Sequence, residues 1–420
     1  METKITTLAN GLRVVTSCRP QTETVTLGIW VKTGVACEKE EINGISHFLE
    51  HMVFKGTPSR TSLQISEEFE DVGGHSNAYT SREFTAFYAK MLKNDVELAI
   101  DILSDIVLNS HFPQDELEKE REVVVQEIKQ TIDTPDDIIF DYLQSQAFPN
   151  QAIGRSILGP VEKIRSYTRE TLINYRNSNY AAENTVVCAV GNIEHDTFVK
   201  MVESRMTNMQ KTSNFIKDSQ IYKGGFYTEK RSIEQAHMVL GFEGQPYSQD
   251  NYYPSVVFST ILGGGMSSRL FQEIREKRGL VYSVYSFSNS HTDSGLFGIY
   301  AGTTREELKQ LMPVVCEEIR KIRTDLVTEK ELKRAKTQLK ASMLMALESS
   351  SSTVEVLARQ MLIFNRIVPV EEMVEKIEAI SREDILNLAN KIFSSKPTYA
   401  LVGDIDGYPV YDEIQNQIRV

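Results

Sequence analysis

Two histidines four residues apart with a glutamate between them, His47-Phe48-Leu49-Glu50-His51, are the residues of this chain best placed to do chemistry. On a helix the rings of His47 and His51 project from one face and can share a metal ion. Glu50 lies close to that face without having to be a ligand. The order H-x-x-E-H reverses the commoner H-E-x-x-H, and either order sets a carboxylate base beside a metal-held water. The bland alternative is a surface helix on which the three residues merely coincide.

A zinc site of this kind needs a third protein ligand and an open fourth position for water. Acidic candidates lie downstream in the helical run Glu116-Leu117-Glu118-Lys119-Glu120-Arg121-Glu122-Val123-Val124-Val125-Gln126-Glu127-Ile128. Glu120 and Glu127 are two helical turns apart and share one side, with Val124 and Ile128 able to pack beneath. Composition leaves the choice between the two carboxylates open.

The chain resembles the pitrilysin/insulinase family of zinc metallopeptidases (inverzincins), most of all the mitochondrial processing peptidase branch and the bacterial relatives of its β subunit. The resemblance runs from Leu8-Ala9-Asn10-Gly11-Leu12-Arg13-Val14-Val15 to Val402-Gly403-Asp404-Ile405. Its most specific stretch is Gly44-Ile45-Ser46-His47-Phe48-Leu49-Glu50-His51-Met52-Val53-Phe54-Lys55-Gly56-Thr57. It implies one Zn²⁺ per chain, held by His47, His51 and Glu127, with Glu120 as a supporting acid. Zinc lowers the pKa of bound water from about 15.7 to about 7 and polarises a scissile carbonyl. Glu50 would take the water proton and pass it to the leaving amine.

The same resemblance implies substrate contacts. Ser76-Asn77-Ala78-Tyr79-Thr80 resembles the family's active-site edge strand, which accepts an extended peptide through backbone hydrogen bonds, Asn77 adding a side-chain bond. Arg275 and Tyr282 match an Arg/Tyr pair that reaches across a cavity to the substrate carbonyl and the tetrahedral oxyanion. Two further features invite weaker readings. His75, after two glycines, is a loop residue rather than a fourth ligand, which would close the site to water. Gly263-Gly264-Gly265 is a flexible helix start, with no G-K-[ST] to make it a phosphate loop. Some relatives place the zinc residues and the Arg/Tyr pair on separate polypeptides. Here one chain carries both, so a homodimer is expected, with a heterodimer as the alternative.

The rest of the chain sets bounds. Its 420 residues exceed one ordinary core and suggest two domains. With 41% hydrophobic and 25% charged residues, and no apolar run of eighteen, it reads as a soluble protein without membrane insertion. Met1 to Thr7 lacks the apolar core of a secretory signal and is acidic too early for a mitochondrial transit peptide. Cys18, Cys37, Cys188 and Cys316 have no C-x-x-C spacing and read as free thiols in a reducing compartment. A bacterial, cytoplasmic protein is expected. The net charge of −12 argues against nucleic acid and suits basic peptides, although solubility alone would account for it.

The chain also repeats itself. Val161-Glu162-Lys163-Ile164 and Thr168-Arg169-Glu170 return as Val374-Glu375-Lys376-Ile377 and Ser381-Arg382-Glu383; Leu27-Gly28 returns as Leu240-Gly241, and Val190-Gly191-Asn192-Ile193 as Val402-Gly403-Asp404-Ile405. A near-constant shift over so long a segment means two copies of one domain. At that shift His47 to His51 falls on Thr260-Ile261-Leu262-Gly263-Gly264, so the second copy keeps the scaffold without the metal. The expected boundaries are 1–206 for a zinc-binding domain, 207–226 for a polar linker, and 227–420 for a non-metal repeat that clamps substrate. The pattern predicts strands over 25–32, 76–79, 84–91, 185–190, 235–242 and 296–301. It predicts helices over 45–55, 63–72, 96–109, 116–131 and 330–345. The expected fold class is α+β: two homologous domains, each a mixed, largely antiparallel sheet covered by helices, facing each other across a cavity.

These observations point to a zinc endopeptidase acting on extended, unfolded, presequence-like peptides in an enclosed chamber. The competing reading is a non-catalytic partner subunit of a processing-peptidase-like complex. A small-molecule hydrolase has no specific support.

Overall fold

The computed structural model describes residues 2–214, 220–405 and 411–418. The first copy contains strands β1 (Thr3–Thr7), β2 (Arg13–Cys18), β3 (Thr24–Val31), β4 (His75–Thr80), β5 (Thr85–Leu92) and β6 (Thr185–Gly191). Its helices are α1 (Ile45–Val53), α2 (Ser62–Asp71), α3 (Val96–Asn109), α4 (Gln114–Asp133), α5 (Pro135–Ala147), α6 (Val161–Ser166), α7 (Arg169–Asn179) and α8 (His195–Met206). The second copy contributes β7 (Phe226–Lys230), β8 (Gln235–Glu243), β9 (Ser283–Ser290), β10 (Gly295–Thr304) and β11 (Thr398–Gly403). Its helices are α9 (Tyr252–Gly263), α10 (Arg305–Thr324), α11 (Glu329–Ala346), α12 (Ser350–Phe364), α13 (Val370–Ala379), α14 (Arg382–Ser394) and α15 (Tyr411–Ile418).

The two sheets have one topology. The first runs β1-β2-β6-β3-β5-β4 and the second β7-β11-β8-β10-β9. In each, the copy's β2 or β7 is parallel to β6 or β11, and all other pairings are antiparallel. The repeated sequence words sit at matching places. Thr168 and Ser381 are both N-caps with capping boxes, on α7 and α14. Gly191 and Gly403 end β6 and β11 at φ of 143° and 144°. Among the described residues, strand β1 has no counterpart in the second sheet.

The domain boundaries differ from the sequence expectation. One compact unit comprises Met1–Lys129, Arg155–Asp218 and Met345–Ile367; the other comprises Gln130–Gly154, Ser219–Leu344 and Val368–Val420. The copies have exchanged equivalent helices: α5 belongs to the second unit and α12 to the first. Burial on both sheet faces is the reason. Along β3, Val25, Leu27, Ile29 and Val31 face a core shared with α1, α3, α4, α7 and α8, while Trp30 faces the other way. That second face, completed by Val15, Val186, Cys188 and Val190, is covered by Val354, Leu357, Ala358, Met361 and Leu362 of α12. Burying each of Val354, Leu357, Met361 and Leu362 contributes roughly 1.5–3 kcal/mol. Polar bonds fix the helix further. Arg13 Nη1 donates to Met361 O at 3.1 Å, Lys32 Nζ to Leu362 O at 3.2 Å, and Arg19 Nη2 to Thr353 Oγ1 at 2.7 Å. In the second unit, α5 packs on β8 and β11.

The expected linker, 207–226, includes residues 215–219, which lie outside the described residues. Its described parts are pinned rather than free. Ala182 N–H donates to Gln210 O and Asn214 N–H to Ser178 O in the first unit, and Lys223 N–H to Ala147 O in the second. The glycines at 263–265 also differ from expectation, because α9 ends at Gly263 and Gly264 caps it. Cys18, Cys37, Cys188 and Cys316 are free thiols. Among the described residues no helix is long and apolar enough to cross a membrane.

Candidate metal centre

Helix α1 is apolar almost all round: Ile45, Phe48, Leu49, Met52 and Val53 are buried, and His47 with them. Their packing leaves one strip, carrying His47 and His51, to face α4. The two rings meet edge to face with centroids 4.6 Å apart, and their Nε2 atoms are 3.2 Å apart. Helix α4 buries Leu117, Val124, Val125 and Ile128, which turns Glu120 and Glu127 toward the histidines. Glu127 Oε2 lies 3.6 Å from both Nε2 atoms. Glu120 takes a different position: Oε1 is 2.9 Å from His51 Nδ1, and Oε2 is 2.7 Å from Lys55 Nζ. The helical spacing alone left the two glutamates equivalent; the tertiary geometry separates them.

The donor set fits a small divalent cation. A circle through the three ligand atoms, at separations of 3.2, 3.6 and 3.6 Å, has a radius of about 2.0 Å. That equals ordinary Zn–N and Zn–O bond lengths of about 2.0–2.2 Å. Protonation agrees. The carboxylate of Glu120 requires a proton on His51 Nδ1, which leaves Nε2 with its lone pair in the neutral ring. Burial and the neighbouring His51 pull the His47 pKa down to about 3, so that ring is neutral at ordinary pH. For His51, burial acts downward, but the Glu120 bond and the charges of Glu120, Glu50 and Glu127 outweigh it and raise the pKa. Two imidazole nitrogens this close share either a proton or a cation, and a carboxylate oxygen equidistant from both favours the cation. His47 Nδ1 is buried without a hydrogen-bond partner.

Glu50 sits on the same helix, largely buried. Burial raises its pKa, a hydrogen bond with Thr80 and the charge of His51 act downward, and Glu127 adds to the rise. Its Oε2 is buried without a partner, leaving one oxygen for a proton in transit.

Beside α1 runs β4, the edge of its sheet, bonded among the described residues only to β5, in antiparallel register from His75↔Lys90 to Thr80↔Thr85. Asn77 Oδ1 accepts the Ala78 N–H at 2.8 Å. His75 opens this strand, exposed, outside the ligand cluster of His47, His51 and Glu127. Tyr79 OH donates to Glu355 Oε1 at 2.5 Å, and Trp30 Nε1–H donates to Glu355 Oε2 at 2.8 Å. Glu355, on the exchanged helix α12, thus anchors the edge strand from behind. Sequence spacing gave no sign of it, because the contact spans 276 residues. Glu355→Ala is expected to raise the KM for an extended peptide severalfold with zinc content unchanged, read by steady-state kinetics and metal analysis.

Arg275 and Tyr282 belong to the second unit. Arg275 lies in a single π-helical turn, Phe271–Glu276, a form common at functional sites. Its guanidinium is 4.8 Å from the centroid of Phe271 and 5.7 Å from that of Tyr282. Tyr282 is 79% exposed, so its hydroxyl is open to a ligand.

Comparison with known proteins shows the family of the chain. The model of the insulinase family (peptidase family M16) matches residues 13–161, and that of the peptidase M16 inactive domain matches residues 166–339. An uncharacterized zinc protease of Rickettsia felis is 42% identical over 405 residues, covering 96% of this chain and 98% of that protein. The probable mitochondrial-processing peptidase subunit beta of Arabidopsis thaliana is 34% identical over 434 residues, covering 99% of this chain and 81% of that one. Among solved structures, a protease from Helicobacter pylori shares the fold with a TM-score of 0.88 at 21% identity, covering 96% of this chain and 99% of its own. This chain therefore belongs to peptidase family M16, the insulinase family of zinc proteases.

Proposed function

We propose that this protein is a zinc-dependent endopeptidase that cleaves extended, unfolded peptides, with a preference for basic, presequence-like ones. The observation that carries the reading is the convergence of three candidate ligand atoms, from His47, His51 and Glu127, beside the helix that also carries Glu50. When bound, zinc supplies a water acidic near neutral pH and polarises the scissile carbonyl. Glu50, at Oε2, would take a proton from the attacking water and return it to the leaving nitrogen. Glu120 and Lys55 hold His51 in the tautomer that ligation needs. The free edge of β4 aligns the peptide backbone, the Ala78 N–H exchanging its bond to Asn77 for one to substrate. Arg275 and Tyr282 serve as donors to the carbonyl oxygen as charge develops.

The first copy is read as the catalytic domain and the second as the substrate clamp. Because both residue sets sit on one chain, a homodimer is favoured over a heterodimer. The four free thiols support a cytoplasmic setting. The net charge of −12 supports basic substrates. A non-catalytic partner role is the alternative, and the intact ligand set argues against it.

The test is metal analysis of the purified protein together with hydrolysis of quenched peptides of equal length, one basic and one acidic. About one zinc per chain and faster turnover of the basic peptide are expected. Zinc without hydrolysis of either peptide would favour the partner role. Arg275→Ala should lower turnover by about 100-fold, the usual loss of one oxyanion donor, with zinc unchanged.

A further inference from the structure

Helix α1 begins at Gly44, which has no side chain to receive the first amides and sits at φ 96°. A Cβ there would fall 2.6 Å from Leu158 O and 2.8 Å from Gly159 Cα, so no serine or aspartate cap can replace it. The cap comes instead from six residues upstream. Glu38 Oε2 accepts from Gly44 N–H at 2.7 Å and from Asn43 Nδ2 at 2.9 Å, and Oε1 accepts from Ser46 N–H at 2.8 Å.

Glu38 is only 3% exposed. Burial raises its pKa, against the pull of those three bonds. All three partners are donors, so the group acts purely as an acceptor, against the positive end of α1. The surrounding turn is locked as well. Tyr167 OH donates to Asn43 O at 2.6 Å, the Ser46 and Tyr175 hydroxyls are 2.6 Å apart, and Arg155 Nη1 donates to Glu38 O at 2.9 Å. Ser46, the residue whose amide Glu38 holds, directly precedes His47.

We propose that Glu38 is a positioning residue for metal binding: its carboxylate caps α1 and fixes the rotation at which His47 is presented to the cation. The proposal rests on the zinc reading above and deepens it. Without the carboxylate, the first turn of α1 frays and His47 loses its direction. His51, one turn further along and held by Glu120, keeps its own.

Two readouts test this: zinc affinity by chelator competition, and amide hydrogen exchange across residues 44–53 in the metal-free protein. They are compared among wild type, Glu38→Ala, Glu38→Gln and Thr61→Ala. Thr61 caps α2 in the same unit through Gln64 N–H, so its loss is a matched control away from α1. Glu38→Ala is expected to lower zinc affinity by about tenfold, the scale of an outer-shell loss, and to speed exchange across 44–53. Glu38→Gln, which keeps one acceptor oxygen, should show smaller changes in both, and it decides the matter if the alanine variant does not fold. Thr61→Ala should match wild type in both. Wild-type affinity and exchange in Glu38→Ala, or an equal loss in Thr61→Ala, overturns the proposal. If the wild type itself takes up no zinc, the metal reading fails, and the exchange comparison alone decides whether Glu38 holds α1.

Discussion

Glu50→Gln is expected to keep about one zinc per chain while lowering peptide hydrolysis by roughly 10²–10⁴-fold, the usual contribution of a positioned acid–base group. Glutamine has the same shape and can keep the Thr80 hydrogen bond. It cannot take a proton from water or give one to the leaving nitrogen. The buried Oε2, which has no partner among the described residues, is the atom whose chemistry the substitution removes. Because His47, His51 and Glu127 are untouched, metal analysis separates a lost base from a lost site. Single-turnover hydrolysis of a quenched basic peptide, run beside that analysis, gives the answer. Equal turnover in the two proteins would strip Glu50 of its role.

Glu127→Ala should lower zinc affinity by more than 100-fold, beyond the 10–100-fold typical of an outer-shell partner such as Glu120. Removing this carboxylate leaves two neutral imidazoles and no anionic ligand. Zinc binding should also depend on pH, with a sign that the site dictates. Zinc requires neutral imidazole. His47, with a pKa of about 3, needs no deprotonation at neutral pH. The pKa of His51 is raised above its ordinary value of 6.5 by Glu120, Glu50 and Glu127 against the effect of burial. Below that raised pKa, zinc must displace one proton from His51, so affinity falls about tenfold per pH unit on acidification. Above it, the dependence fades. Calorimetry in buffers of different ionisation enthalpy should find about one proton released per zinc at pH 6. Glu120→Gln removes the strongest upward influence on His51 and should shrink that release while weakening affinity. Unchanged proton release in Glu120→Gln would refute this account of His51.

The sequence by itself determined the candidate ligand pair, the candidate base and the duplication, because each is written at short range or at a fixed shift. His47, Glu50 and His51 lie within one and a half helical turns, and a helix puts them on adjoining faces whatever surrounds it. The repeated words at Thr168 and Ser381, and at Gly191 and Gly403, mark caps and strand ends that local chemistry enforces. Tertiary structure alone decided three things. Glu120 and Glu127 are equivalent by helical periodicity; the resemblance singled out Glu127, and the docking of α4 on α1 supplies the physical reason, placing Glu127 near both Nε2 atoms and Glu120 at His51 Nδ1. The roles of Glu38 and Glu355 depend on side chains meeting across a turn at φ 96° and across 276 residues of chain. The exchange of α5 and α12 follows from sheets buried on both faces. A sequence pattern records that a strand is apolar on both sides, but not which distant helix comes to cover the second one.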